Sequence, residues 1–294
     1  MSGDPPRVEL FKTPYLRSFC GGRAASVIGA QIVSVTAGWQ LYDITHDPWS
    51  LGLVGLVELA PALVLMLPAG IAADRYPRRN IAIFANAMLG LAALGLALVS
   101  ALALPIPFIY LLLCLIGVAR AFASPSVGSI IPQLLKPEQM PGAMAWISSS
   151  YEIAAISGPA IGGFLIAVTP TLAYGVAGLG QLIFIAVLAT FPSLPPQHDQ
   201  QRAPSDFFAG LGFIKRNPLF LSAITLDLFV VLFGGAVALL PVFARDILHV
   251  GPMGLGWLRA APSLGALTMA LLLTRMRPWT RPGKALLVAV VGFA

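Results

Sequence analysis

Long apolar runs separated by short turns are the feature that most constrains this chain. A transmembrane helix needs roughly 20 consecutive apolar residues. We expect helices near residues 18–42, 50–72, 80–101, 107–128, 143–168, 171–191, 219–243 and 253–274, and the start of a ninth near 284. Because 57% of the 294 residues are hydrophobic and only 10% are charged, a soluble core cannot hide this much apolar surface. The sequence therefore predicts an all-α, polytopic transmembrane helix bundle.

The basic residues fall in alternate turns between the apolar runs. The turn at 46–48 has no lysine or arginine, whereas the next turn holds Arg75, Arg78 and Arg79, and Lys136 lies in the connection at 128–143. The positive-inside rule then predicts an N-terminus in the cytoplasm. The net charge of +6 comes from these short clusters and not from a continuous basic stripe, so we expect no nucleic-acid partner.

Several chemistries find no support in the sequence. Cys20 and Cys114 both lie inside apolar runs, so we expect neither a structural disulfide nor a metal site. Gly283-Lys284 is followed by alanine and lacks the earlier glycine of a phosphate-binding loop. No soluble region is long enough for a catalytic fold. We therefore expect no enzyme activity and no cofactor.

The longest connection divides the chain. Residues 192–218 begin with a polar, proline-rich stretch and continue with an amphipathic stretch around 207–216, which predicts a flexible linker and an interfacial helix. The predicted units are a six-helix bundle at 1–191, a cytoplasmic linker at 192–218, and an incomplete second bundle at 219–294.

A weak internal repeat relates the two bundles. Glu58 and Pro61 in the second helix correspond to Arg259 and Pro262 in the eighth, each pair being 201 residues apart, and Pro77 and Pro278 keep the same offset. The seventh and eighth helices would then repeat the first and second. A second bundle of equal length would end roughly 200 residues after the first, so we expect this sequence to be about three-quarters of the whole protein.

Charged residues within the apolar runs are functional candidates, because a charge inside the bilayer is costly. At 1.5 Å per residue, Arg120, Glu152 and Asp227 lie roughly 10–13 Å from the cytoplasmic side. We expect Arg120 and Glu152 to pair or to share a network, a permanent structural pair being the alternative. Glu58 lies nearer the outer side, at the depth of Arg259. A carboxyl group among apolar walls can hold the proton that a carrier needs, so Glu58 and Asp227 are the candidate proton carriers, with sodium coupling left open.

Small residues on the first helix mark one face for close helix packing. The first helix carries the row Gly22, Ser26, Ala30, Ser34 and Gly38, and small residues four apart let helices approach closely. Gln31 and Gln40 lie off this row and are candidates for a polar cavity wall, ordinary interhelical hydrogen bonds being the alternative.

The turn between the second and third helices carries the most specific motif. Gly70-x-x-x-Asp74-Arg75-x-x-Arg78-Arg79 resembles the loop signature of the major facilitator superfamily of secondary transporters. Pro77 departs from the signature, which commonly has glycine there. The resemblance implies that Gly70, Asp74 and the arginines form a gating loop and that Asp74 contacts helix ends of the opposite bundle. Arg120 resembles a second signature linked to proton coupling, although its usual glutamine and glycine are absent.

A run on the fifth helix bears on the direction of transport. Gly158-Pro159-x-x-Gly162-Gly163 is similar to the signature of exporters that work as antiporters, and Ala154 stands where the longer form has glycine. Close helix packing with no role in direction is the alternative.

Two further stretches narrow the resemblance. Trp39–Thr45 and Leu240–Asp246 resemble the bacterial branch that contains the enterobactin exporter and related drug-efflux proteins. This implies a proton-driven exporter of a siderophore or small amphipathic compound, in the bacterial inner membrane, with membrane lipid around it and a monomeric state. The alternatives are an importer of the same superfamily, or a truncated membrane protein or structural subunit that does not pump.

Overall fold

A computed structural model describes residues 14–193 and 235–273, with the separate positions 217, 221, 224 and 225. The long helices are α1 (Pro14–Thr45), α2 (Pro48–Val64), α3 (Met66–Arg75), α4 (Arg78–Ala101), α5 (Ile106–Gly128), α6 (Met140–Val168), α7 (Pro170–Ala189) and α8 (Gly251–Leu273). Two 3₁₀ turns, Ile131–Gln133 and Pro137–Gln139, join α5 to α6. Before α8, residues 235–247 form a 3₁₀ helix (Gly235–Leu239), a helical turn (Leu240–Val242) and a π-helix (Phe243–Ile247); we name them the 235–247 segment.

The all-α membrane architecture predicted from the sequence is confirmed. Within the described residues, five helices are long and apolar enough to cross a membrane, and α2 with α3 makes a sixth if the bent pair is one span. Their outward side chains are apolar and exposed: Leu91 and Phe84 of α4 are 67% and 64% accessible. Most of the predicted helix at 219–243, the one starting near 284 and the amphipathic stretch at 207–216 lie outside the described residues.

α2 begins two residues before its predicted start and α7 begins one residue before its predicted start. In both helices a proline and a side-chain cap set the first residue. Pro48 and Pro170 occupy the first turns of α2 and α7, where a missing N–H costs nothing. The residue before each proline caps its helix. Asp47 Oδ1 accepts from the Trp49 amide at 3.0 Å, and Thr169 Oγ1 accepts from the Leu172 amide at 3.1 Å.

The predicted single helix at 50–72 is wrong, because the structure breaks it at Leu65. The axes of α2 and α3 differ by 48°. Pro68 has no N–H to donate to the carbonyl four residues earlier, and Pro61 lies inside α2, so the helical ladder is interrupted on both sides of Leu65.

Helices α1, α4, α5, α6 and α7 pack around a common core, with α2 against α5 and α8 against α6. The largest fully buried side chains include Tyr174, Phe19 and Phe184. Phe19 of α1 meets Phe184 of α7 edge to face, with ring centroids 5.8 Å apart. This core fixes α1 as the central helix, in contact with both α6 and α7.

The small-residue row of α1 does not form one packed face, contrary to the prediction. A step of four residues turns a helix by 400°, so the row drifts around the helix along its length. Gly22 contacts Val187 of α7, whereas Gly38 contacts Pro241 of the 235–247 segment. The middle of the row, at Ala30 and Ser34, is only half-buried. The two ends of the row therefore pack against different elements, and its middle residues are not closely packed.

Candidate functional site

Glu58 and Arg120 form an ion pair between α2 and α5. Arg120 Nη1 donates to Glu58 Oε2 at 2.6 Å, and the two side chains are 41% and 13% exposed for arginine and glutamate. The expected pairing of Arg120 with Glu152 is wrong: Glu152 is exposed on α6 and makes no ion pair with any described residue. Arg120 and Glu152 were predicted at similar depths in the membrane, but depth did not determine the partner of Arg120. The packing of α2 on α5 brings Glu58 closer to it.

The close packing of α2 on α5 depends on Gly117. A methyl group at this position would lie 2.2 Å from the Glu58 carbonyl oxygen and 2.8 Å from Pro61 Cγ. Only glycine leaves room for this approach. Gly117 lies three residues before Arg120, so the contact that joins the helices also brings the ion pair together.

Arg259 of α8 reaches across to α1. Its Nη2 donates to Ser34 Oγ at 2.8 Å and its Nη1 to the Ser34 carbonyl at 3.3 Å. Arg259 forms no ion pair with Glu58, but it lies near enough for the two charges to attract each other. One carboxylate thus interacts with two guanidinium groups, one from the first half of the chain and one from the second. We call Glu58, Arg120 and Arg259 the central charge cluster.

Glycines pack α6 directly against α8. A methyl group at Gly163 would lie 2.5 Å from the Pro252 carbonyl oxygen, and one at Gly256 would lie 2.7 Å from the Pro159 carbonyl oxygen. Both contacts are with backbone, which has no alternative rotamer, so the two helices touch over one turn. Gly158 and Gly162 face α1 instead, with Gly158 against Gln31 and Gly162 against Ile32.

Two polar contacts join α1 to the 235–247 segment at the end of the molecule that holds the α1–α2 turn. The Tyr42 hydroxyl donates to Asp246, and Arg245 pairs with Asp43. Asp43 is 52% exposed and Arg245 is 30% exposed, so water weakens this pair. These four residues, which we call the terminal latch, come from positions about 200 residues apart in the chain.

The other end of α6 borders a cavity of about 280 Å³. It is lined by Gly142, Ala145, Trp146 and Ser149. These positions recur every three to four residues, so they share one side of α6, and Gly163, about four turns beyond Ser149, lies within roughly 40° of Ser149 around the helix. One face of α6 is therefore packed on α8 at one end and borders an open space at the other.

Four further residues of the predicted site, Gln31, Gln40, Asp74 and Asp227, do not belong to the central charge cluster as the structure describes it. Gln31 packs its Cβ against Gly158, and Gln40 has a buried Oε1 without a hydrogen-bond partner among the described residues. Asp227 lies outside the described residues, and so does the side chain of Asp74.

The predicted gating loop has one clearly structural member. Arg79 Nε donates to the Leu188 carbonyl at 3.0 Å and its Nη2 to the Ala189 carbonyl at 2.7 Å, so this arginine caps the end of α7. Arg75 is exposed and Arg78 is half-buried. A methyl group added at Gly70 would meet no atom within 4 Å in the part of the chain that the structure describes, whereas Gly117, Gly163 and Gly256 are the glycines that lie against backbone atoms of a neighbouring helix.

Sequence reasoning missed two polar features of α1. Ser26 donates to Gln181 Oε1 at 2.8 Å, and Gln181 Nε2 donates back to the Ser26 carbonyl at 3.1 Å, with Asn86 at 3.4 Å from Ser26. Arg23 has a buried Nε that finds no hydrogen-bond partner among the described residues. The signal for both was a polar residue inside an apolar run.

A family model described as transmembrane secretion effector, within the major facilitator superfamily, matches residues 8–294. The chain is 28% identical over 289 residues to the enterobactin exporter EntS of Shigella dysenteriae serotype 1, and 28% identical over 290 residues to the proteins of that name in Shigella boydii serotype 18 and Escherichia coli O1:K1. Each match covers 97% of this chain and 69% of the relative.

Among solved structures, the fold is similar to that of a POT family transporter in complex with a thioalcohol-conjugated peptide. The TM-score is 0.53 at 13% sequence identity, and the match covers 79% of this chain and 53% of the transporter. The chain thus spans about half the length of that structure, and at this identity the likeness concerns the fold.

Proposed function

Because this chain belongs to the transmembrane secretion effector family of the major facilitator superfamily, we propose that it is a proton-coupled exporter of a siderophore or small amphipathic compound. The family and the similarity to enterobactin exporters identify a multi-pass transporter of the bacterial inner membrane. Proton coupling, antiport and the class of compound are the proposal. The enterobactin exporters point to a siderophore, and the exporter-type run at Gly158–Gly163 points to export.

The observation that carries the proposal is the asymmetry along α6. Towards the terminal latch, Gly163 and Gly256 bring α6 and α8 into backbone contact, whereas a cavity of about 280 Å³ borders the other end of α6. A transporter that works by alternating access needs an arrangement that is closed on one side of its substrate site and open on the other. Breaking the α6–α8 contact and the latch would open the closed side.

Glu58 is the proposed proton carrier. Its carboxylate is paired with Arg120 and interacts with Arg259, so protonation removes the attraction to both guanidinium groups. Glu58 belongs to α2 and Arg259 to α8, where Arg259 also contacts Ser34 of α1. Loss of the attraction between Glu58 and Arg259 therefore weakens one link between the first and second parts of the chain. Glu152 and Asp227 remain the other candidates for the coupling step.

The remaining features complete the proposal. The positive-inside rule supports an N-terminus in the cytoplasm, with Gly70, Asp74, Arg75, Arg78 and Arg79 in a cytoplasmic gating loop. We propose an N-terminal bundle at 1–191, a linker with an amphipathic helix at 192–218 and a second bundle from 219. The partners are the substrate, protons and membrane lipid, and the protein is monomeric.

Transport in everted membrane vesicles tests the proposal. Vesicles that contain the protein are energised with a pH gradient, and uptake of enterobactin is measured together with the decay of the gradient. We expect uptake that dissipates the gradient, and loss of both effects in Glu58→Gln. The conservative variant Glu58→Asp is the matched control, because it keeps an ionisable carboxyl group. Uptake without any change in the gradient would contradict proton coupling, and no transport of any compound would contradict the export function.

A further inference from the structure

Three buried polar side chains join α1, α4 and α7 in the interior of the bundle. Gln181 of α7 is 3% exposed, Asn86 of α4 is 2% exposed and Ser26 of α1 is 9% exposed. Gln181 Nε2 donates to the Ser26 carbonyl and Asn86 Nδ2 to the Ala82 carbonyl, so the amide oxygens are left to accept. The Ser26 hydroxyl donates to Gln181 Oε1 at 2.8 Å. A carbonyl oxygen can accept two hydrogen bonds, and within the described residues Gln181 Oε1 accepts this one.

Close helix packing holds Gln181 in place. A methyl group at Gly90 of α4 would lie 3.3 Å from Gln181 Cβ, and one at Gly180 would lie 2.5 Å from the Ala25 carbonyl oxygen of α1. Two helices therefore press against α7 at Gln181, and the hydrogen bonds with Ser26 fix its amide group. A further donor to this amide oxygen has to come to it.

Gln181 and Arg120 border the same small cavity. Its volume is about 10 Å³, the space of roughly one water molecule. Its other lining residues are apolar: Ala30, Val33, Leu89, Ala93 and Ile116. At 100° per residue, Arg120 lies roughly 40° around α5 from Ile116 and roughly 60° in the other direction from Gly117, which packs against Glu58. Arg120 thus stands between the direction of Glu58 and the direction of the cavity that Gln181 lines.

Arg120 needs a second partner if Glu58 takes up a proton. Arg259 would keep its hydrogen bonds to Ser34, whereas Arg120 would lose the ionic partner that it has in this arrangement. An unpaired guanidinium on a membrane-spanning helix is costly. The Arg120 side chain is 41% exposed, so it has room to move, while the amide oxygen of Gln181 is fixed and has a free acceptor position.

We propose that Gln181 is the second acceptor for Arg120. Arg120 donates to Glu58 while that carboxyl group is charged, and it donates across the small cavity to Gln181 when the carboxyl group is neutral. The inference rests on the proposed function, since it describes the site after Glu58 has taken up a proton. Gln181 is then a positioning residue, which lets Glu58 become neutral without leaving a lone cation in the membrane.

Moving a carboxylate from position 58 to position 181 tests this inference. Melting temperatures of the purified variants are measured in detergent. In the wild-type background, Gln181→Glu should lower the melting temperature, because it buries a second carboxylate. In the Glu58→Ala background, the same change should raise it, because the new carboxylate pairs with Arg120. If Glu58→Ala alone does not fold, recovery of folded protein in Glu58→Ala with Gln181→Glu, measured by size-exclusion chromatography, is the expected result.

Asn86→Glu is the matched control. Asn86 is an equally buried amide near the same serine, but it does not line the cavity with Arg120. We expect Asn86→Glu to lower the melting temperature in both backgrounds. Failure of Gln181→Glu to stabilise or recover the Glu58→Ala protein would overturn the inference, and so would an equal rescue by Asn86→Glu.

A double-mutant cycle separates the exchange of partners from a merely structural role of Gln181. Arg120→Ala and Gln181→Leu are combined in the wild-type and in the Glu58→Ala background. We expect additive effects in the first, and in the second a coupling of about tenfold or more in the unfolding equilibrium constant, as for a charged hydrogen bond. The same coupling in both backgrounds, or none in either, would contradict the exchange. None of these measurements involves transport, so enterobactin uptake in everted vesicles decides the export function separately.

Discussion

The backbone of Glu58 lies so close to Gly117 that a methyl group at position 117 would come within 2.2 Å of the Glu58 carbonyl oxygen. This contact holds α2 against α5 and lets Arg120 reach the Glu58 carboxylate at 2.6 Å. A glycine, which has no side chain to make a polar contact, is therefore part of the ionic site.

Gly117→Ala should separate α2 from α5 and break the ion pair. The new methyl group would meet backbone atoms, which cannot move aside by changing rotamer, and such overpacking costs about 1–3 kcal/mol. We expect a lower melting temperature in detergent and loss of transport in vesicles. Gly55→Ala is the matched control on α2, because a methyl group there would meet no described atom within 4 Å. Equal stability of the two variants would contradict the close contact.

Glu58 and Arg120 should be energetically coupled. In a double-mutant cycle with Glu58→Ala and Arg120→Ala, measured by thermal unfolding, we expect an interaction energy of about 0.5–3 kcal/mol, because either single change leaves a charge without its partner. The cycle of Arg120→Ala with Glu152→Ala should be additive, since Glu152 makes no contact with Arg120. Coupling in the second cycle and additivity in the first would reverse the assignment.

The terminal latch should tolerate an exchange of charges. Asp43→Arg alone places two cations together and should reduce transport, whereas Asp43→Arg with Arg245→Asp restores the pair in reverse and should recover part of the activity. Vesicle uptake measures both variants. Because the pair is partly exposed, we expect a modest effect on stability, of about 0–1 kcal/mol. No recovery in the exchanged variant would mean that the pair does not contribute to closure.

Tyr42 tests the same latch through a neutral group. Tyr42→Phe removes only the hydroxyl that donates to Asp246, so the helix packing of the ring stays. We expect this end of the protein to open more often, which is measured as faster labelling of a cysteine introduced at Ser34 by a membrane-impermeant maleimide, in a background with Cys20 and Cys114 replaced by serine. Labelling at the wild-type rate would contradict the role of the hydroxyl in closure.

Gly256→Val should prevent the α6–α8 contact. Its side chain would lie against the Pro159 carbonyl oxygen and Gly163 Cα, both backbone atoms. We expect the variant to insert into the membrane but to stay open at the latch end, so that the cysteine at Ser34 is labelled rapidly and transport is lost. Gly175→Val provides the control, since a methyl group at position 175 would meet nothing within 4 Å in the part of the chain that the structure describes. Slow labelling in Gly256→Val would show that another contact closes this end.

The fold could be predicted to a large extent from the sequence. The starts and ends of α4 and α5 lie within two residues of the predicted spans, because a span must be predominantly apolar over roughly 20 residues and polar or proline-containing turns mark its ends. The break at Leu65 was missed even though Pro61 and Pro68 were visible. Proline bends some membrane helices and leaves others continuous, and the choice depends on what packs against the bend.

The candidate site was harder to predict than the fold. Glu58, Arg120 and Arg259 were found as separate charges in apolar runs, but the partner of Arg120 was wrong. The position of a residue in the sequence predicts only its depth in the membrane. Whether two residues touch also depends on how each helix is rotated about its axis and on the distance between the helices. Arg23 was missed because its position near the N-terminal charges resembles that of an ordinary interfacial arginine.

The sequence by itself determined that this chain is a helical membrane protein of the major facilitator superfamily, because hydrophobic length and the Gly70–Arg79 motif are local properties of consecutive residues. Only the tertiary structure decided that Arg120 meets Glu58, that Arg79 caps α7, and that Gly163 and Gly256 bring α6 and α8 together. Those pairs lie roughly 60 to 110 residues apart in the chain. Which residues meet over such distances depends on how each helix is rotated and how closely its neighbour approaches, and small residues on both helices set that distance together.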